Sequence, residues 1–207
     1  MSITMEKKVI EEARVYHFNA EKYFQLIKSG IIPECASFEL LDGLLVIKDR
    51  SAKGEDPMSI GNLHNLLIQL LWGLSNELSS YGCYLQTQGP VVLADNEVPE
   101  PDGAIVKGVP EDYTEELPGP SDILCVIEVA DSSLRTDRTT KLRIYAKAGI
   151  PQYAIVNLAD KQVEVHELPN KKSGTYSQKS VLNPVDEIAF WVGKRKRFIL
   201  PVSKLLR

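Results

Sequence analysis

The order of elements along the chain predicts an α/β fold, a mixed central β-sheet flanked by helices. Three observations carry the prediction. Leu63, Leu66, Leu67, Leu70, Leu71, Leu74 and Leu78 recur at i, i+3, i+4 and i+7, the spacing of a helix that buries one face. Phe38 to Ile47 holds two apolar runs around Asp42-Gly43, and Asp-Gly supplies the positive φ that a type I′ hairpin turn needs. Ile123-Leu-Cys-Val-Ile-Glu-Val129 is a β-branched-rich apolar run between turn signals, which reads as a buried strand.

The remaining elements follow in order. Asn19 is a good N-cap and Gly30 a good C-cap residue, so an amphipathic helix lies between them. Lys48 to Pro57 is polar and contains Gly and Pro, the composition of a loop, and Ser59 then caps the leucine-rich helix. Tyr84 to Leu93 gives a strand or strand pair with a bend at Gly89-Pro90, and Ala104 to Val106 a short strand. A helix follows the Glu128 strand and ends at Gly149. Tyr153 to Leu158 and Val163 to Leu168 are strands joined by Ala159-Asp-Lys161, and Tyr176 to Leu182 with Ile188 to Val192 extends the antiparallel region.

Composition narrows the class. A length of 207 residues suits one domain with a sizeable core. No signal-peptide core opens the chain, and no apolar stretch approaches the roughly 20 residues of a membrane span, so a cytoplasmic protein without membrane contact is expected. Cys35, Cys83 and Cys125 form no CxxC pair and read as buried thiols. His17, His64 and His166 lack metal-ligand spacing and no Gly-rich phosphate loop occurs, which argues against a nucleotide cofactor. With 28 acidic against 24 basic residues the overall field does not favour a polyanion. The clearest basic strip, Gly193-Lys-Arg-Lys-Arg197, reads as a solvated turn between two apolar runs or as a local phosphate contact.

Chemistry concentrates between Glu100 and Val129. Asp102 opens one short strand and Glu128 lies inside another, so two carboxylates stand at strand ends. A buried carboxylate must pair with a cation, bind a metal or take up a proton. Asp137, Lys141 and Tyr145 fall four apart, on one face of the next helix, which brings a cation near Glu128. Two strand acids with a lysine suit metal-assisted phosphodiester cleavage, the acids giving hard oxygen ligands and the lysine orienting or activating water. A structural reading stands beside it, in which Asp137 and Lys141 form an i,i+4 ion pair and Glu128 is a buried structural acid. Glu39, on the first hairpin strand, is by spacing alone either an edge-strand acid or part of a site. His64 is by pattern a helix-surface or capping residue before it is a catalytic one.

At these residues the chain resembles the PD-(D/E)XK nuclease superfamily, and within it the Uma-two branch of restriction-endonuclease-like proteins. The matching pieces are Phe38 to Gly43, Gly61-Asn-Leu-His64, Pro99-Glu-Pro-Asp102, Val126-Ile-Glu-Val129, Asp137 to Lys141 and Tyr145 to Val156; their order and spacing make the match specific. The resemblance implies a restriction-endonuclease-like sheet in a single domain over 1–207, with a nuclease core at about 36–168. It implies a Mg²⁺-dependent DNA endonuclease, with Mn²⁺ as a substitute. Asp102, Glu128 and the main-chain carbonyl of Val129 would hold the ion, Lys141 would orient water, Glu39 would be a third acid, and His64 would lie near the site. Double-strand cleavage by such folds further implies a homodimer. Two departures stand out: the motif lysine two residues after Glu128 is replaced by Ala130, and Ala130-Asp-Ser-Ser133 stands where the branch carries Ser-Pro-Ser-Thr. Ser133 is still expected to cap the helix, and Asp131 adds a carboxylate close by. A relative that keeps the fold as a non-catalytic binding or assembly module is the alternative.

Overall fold

A computed structural model describes residues 15–33, 38–48, 62–193 and 196–206. Helix α1 (Ala20–Lys28) starts where the Asn19 side chain accepts the Lys22 N–H at 3.0 Å and ends before Gly30 at φ +74°. Strands β1 (Phe38–Leu41) and β2 (Leu44–Ile47) form the hairpin, with Asp42 and Gly43 both at positive φ as a type I′ turn requires. At Gly43 a Cβ would also lie 2.8 Å from His17 Cβ.

A six-stranded sheet follows, in the order β3-β4-β5-β6-β7-β8, with β3 Cys83–Thr87, β4 Gly103–Lys107, β5 Ile123–Ala130, β6 Gln152–Asn157, β7 Gln162–Asn170 and β8 Thr175–Leu182. All neighbours are antiparallel except β5 and β6. A parallel pair needs a crossover, and the helical run Leu134–Thr136, Asp137–Lys141 and α4 (Leu142–Ala148) supplies it. That connection lays Lys141 over the strand that carries Glu128. Gly149 ends the run at φ +83°.

One sheet face packs on α2 (Asn62–Gly73), α3 (Ser75–Ser79) and a separate ribbon of β9 (Glu187–Gly193) and β10 (Lys196–Pro201), through Leu71, Leu78, Cys125, Ile127, Phe190 and Phe198. The other packs on α4 through Val126, Ala130, Ile144, Tyr145, Tyr153 and Ile155. A β-bulge at Ile105/Val106 against β5 leaves Leu124 and Cys125 both in the first cluster, after which alternation resumes and aims Glu128 toward the helical run.

Several expectations change. The leucine-rich helix breaks at Leu74, and its buried stripe is Leu67, Ile68, Leu71 and Leu78, with Leu66 exposed. The expected cap Ser59 lies outside the described residues. In the 84–93 region only Cys83–Thr87 is a strand. Residues 88–99 leave the sheet and dock on the hairpin, where Leu40 pairs with Val98. Of the two C-terminal runs, Tyr176 to Leu182 extends the sheet, but Ile188, Phe190 and Val192 are buried alternately and face the core, so β9 pairs with β10 instead. Cys83 and Cys125 are free and buried. Among the described residues no helix is long and apolar enough to cross a membrane.

Candidate active site

The hairpin, the start of β4, the end of β5 and the helical run converge on a cavity of about 100 Å³ lined by Glu39, Lys48, Asp102, Glu128, Asp137 and Lys141. Each of these six side chains is buried. Asp102 precedes β4, and its Oδ2 accepts the Val129 N–H at 2.8 Å across the β4–β5 pair. Its Oδ1 lies 2.8 Å from Lys48 Nζ and 3.3 Å from His64 Nε2. Burial opposes the charge on Asp102, but Lys48 and then His64 outweigh it and hold the carboxyl below its ordinary range.

Glu128 enters from β5. Its Oε1 receives the Lys141 ammonium at 2.9 Å and the Tyr145 hydroxyl at 2.7 Å. Burial nevertheless pushes the carboxyl up to about 8, against the Lys141 charge. Lys141 also reaches Glu39 Oε1 at 3.0 Å, and that oxygen accepts the Glu100 N–H at 2.8 Å, which ties the hairpin to the strand carrying Asp102. Burial works against the Lys141 ammonium, but Glu128 and Glu39 overcome it and raise its pKa.

The helical run is not a regular helix here. Asp137–Lys141 is a π-turn, with the Leu142 N–H bonded to the Asp137 carbonyl, and the Tyr153 hydroxyl donates to the same carbonyl at 3.1 Å. Asp137 and Lys141 both face the cavity, yet the expected Asp137–Lys141 ion pair is absent: the ammonium goes to Glu128 and Glu39. Asp137 Oδ2 accepts the Ser133 hydroxyl at 2.6 Å. Ser133 therefore makes no side-chain cap, contrary to the reading of its turn, because its hydroxyl is engaged by Asp137. Burial lifts Asp137 to about 6.

Asp102, Glu128, Lys141 and Glu39 thus come together, the Val129 backbone touches Asp102, and His64 is buried against Asp102 and is not a helix-surface residue. Asp131 lies on a neighbouring groove with Arg135 and Arg138. Of the basic strip, Lys194 and Arg195 lie outside the described residues, while Arg197 lies over the Trp191 ring. Sequence reasoning missed Lys48, which it left in the loop. The signal was available: Glu39 pairs with Val46 in the register set by the Asp-Gly turn, so Val46 and, two residues on, Lys48 share the Glu39 face.

A mixed six-stranded sheet flanked by helices defines a protein of the nuclease-fold class. The chain matches the family described as Uma2, "Putative restriction endonuclease", over residues 20–190, and it belongs to that family. It is similar in fold to the crystal structure of "a putative nuclease belonging to DUF820 from Anabaena variabilis ATCC 29413", with a TM-score of 0.64 and 14% identity over 91% of this chain and 97% of that one. No curated protein matches the chain.

Proposed function

We propose that the protein is a Mg²⁺-dependent endonuclease that hydrolyses DNA phosphodiester bonds at this cavity, with Mn²⁺ as a substitute. One observation carries the reading: four buried acids, Glu39, Asp102, Glu128 and Asp137, face only two ammoniums, those of Lys48 and Lys141. With all six ionised, two negative charges remain, which a divalent cation would offset. Among the described residues no three His, Cys, Asp or Glu side chains already stand close enough to hold an ion. That fits Mg²⁺, which is held by one or two carboxylates and keeps waters and substrate phosphates for its other positions.

Asp102, Glu128 and the Val129 carbonyl are the oxygens that would hold it, and the bound ion would supply Lewis-acid charge and a more acidic water. The chain's own residues do the rest. Lys141 positions Glu128 and presents an ammonium toward an attacking water, Glu39 fixes Lys141, and His64 with the Val129 amide fixes Asp102. Double-strand cleavage by one such site per chain calls for a homodimer.

A specific observation favours the non-catalytic alternative: Asp102 and Glu128 each already have an ammonium partner, as structural acids would. Incubating the protein with supercoiled plasmid and single-stranded DNA in Mg²⁺, Mn²⁺ or EDTA decides between them. Nicking or linearisation in either metal and none in EDTA is expected. No cleavage by folded protein in any condition moves the reading to a binding module.

A further inference from the structure

Asp137 has a feature that the hydrolytic scheme above does not use. Its side chain is 1% exposed, Oδ2 is engaged by Ser133, and Oδ1 has no hydrogen-bond partner among the described residues. The carboxyl nevertheless lines the same cavity as Asp102 and Glu128. A buried acceptor left without a donor costs about 1–3 kcal/mol, more when charged, and the nearest cation along the helix, Lys141, is committed to other acids. The local backbone works to keep Asp137 there: the π-turn opens its carbonyl, which Tyr153 and Leu142 both hold. Such turns inside helices recur at functional sites.

We propose that Asp137 is a third carboxylate ligand of the divalent-cation site, with its free Oδ1 as the binding atom. The proposal rests on the reading of the cavity as a cation site. A carboxylate oxygen is a hard donor suited to Mg²⁺ or Mn²⁺, and a third acid gives the site an oxygen from the helical run as well as from the two strands. Ser133 fixes the side-chain rotamer by holding Oδ2, which leaves Oδ1 aimed into the cavity.

The test is Mn²⁺ binding to the full chain without DNA, followed by the electron paramagnetic resonance signal of the free ion. Melting in EDTA confirms that each variant is folded. Asp137→Asn is expected to weaken Mn²⁺ binding at least ten-fold, as are Asp102→Asn and Glu128→Gln. Its melting temperature in EDTA should stay the same or rise, because an unpaired buried acceptor is neutralised. If Asp137→Asn does not fold, Asp137→Ser is read in the same way. Unchanged Mn²⁺ affinity in the Asp137 variant, with loss in the Asp102 and Glu128 variants, overturns this assignment and leaves the cation site standing. Absence of Mn²⁺ binding by the unmutated protein at millimolar ion overturns both.

Discussion

Lys48 Nζ lies 2.8 Å from Asp102 Oδ1, and neither side chain is more than 3% exposed. Removing one member of a buried pair leaves an uncompensated charge, which typically costs about 3–5 kcal/mol. Lys48→Met should therefore lower the melting temperature in EDTA clearly. If Asp102 holds a divalent ion, Mn²⁺ should raise the melting temperature of this variant more than that of the unmutated protein, since the ion no longer shares Oδ1 with an ammonium. Melting curves with and without Mn²⁺ check both parts. An unchanged EDTA melting temperature would show that the Lys48 contact contributes nothing to the fold.

Tyr145 donates to Glu128 Oε1 from a fully buried position. Tyr145→Phe keeps the ring in its contact with Tyr153, 4.9 Å between centroids, and deletes only the hydroxyl. A hydrogen bond to a charged group is worth about 1.5–3 kcal/mol, so a loss of that size is expected in urea unfolding, with the unfolding slope unchanged. A loss below about 0.5 kcal/mol would mean that Glu128 does not depend on this donor.

Glu97 governs the pH response of the hairpin that carries Glu39 and Lys48. Its Oε2 accepts the Asp42 N–H at 2.9 Å in the hairpin turn, while Arg143 pairs with Asp42. Burial pushes Glu97 up to about 7, so the folded state favours its neutral form. Its contribution to stability is fully present below the ordinary carboxylate range and is lost as pH rises through about 7. In EDTA the melting temperature should fall between pH 5 and pH 8, and Glu97→Gln should flatten part of that fall. Identical slopes for the two proteins would remove Glu97 from the explanation.

The strands and the acids were legible because their signals are local. An apolar run with Glu128 inside it, an Asp-Gly turn and a Pro-Asp before a short strand each define a backbone state and a burial problem within a few residues. What was not legible depends on partners distant in sequence. Lys48 meets Asp102 only because residues 88–99 fold back on the hairpin, and β9 leaves the sheet because its buried alternation finds β10 and α2. The Lys141 spacing placed the lysine on the correct face, yet its partner could not be read from i,i+4 geometry. The π-turn and the two acids across the cavity decide it.

Burial of Lys141 also changes what its substitution should do. A surface ion pair would be worth only about 0.3–0.5 kcal/mol, and Lys141→Ala and Asp137→Ala would then have equal, small effects. At 4% exposure, with Glu128 and Glu39 both on its ammonium, Lys141 cannot be removed so lightly. Lys141→Met, which keeps most of the volume, should lower the EDTA melting temperature and reduce DNA cleavage by roughly two or more orders of magnitude, the scale for loss of a positioned proton-transfer or electrostatic group. Lys141→Arg separates the two roles. It preserves the charge that Glu128 and Glu39 require but cannot give up a proton at accessible pH, so it should recover folding and Mn²⁺ binding while cleavage stays at least ten-fold low. Single-turnover cleavage beside melting in EDTA reads both. Near-normal cleavage by the methionine variant would take Lys141 out of the chemistry and leave it as the counter-charge that lets two acids share one cavity.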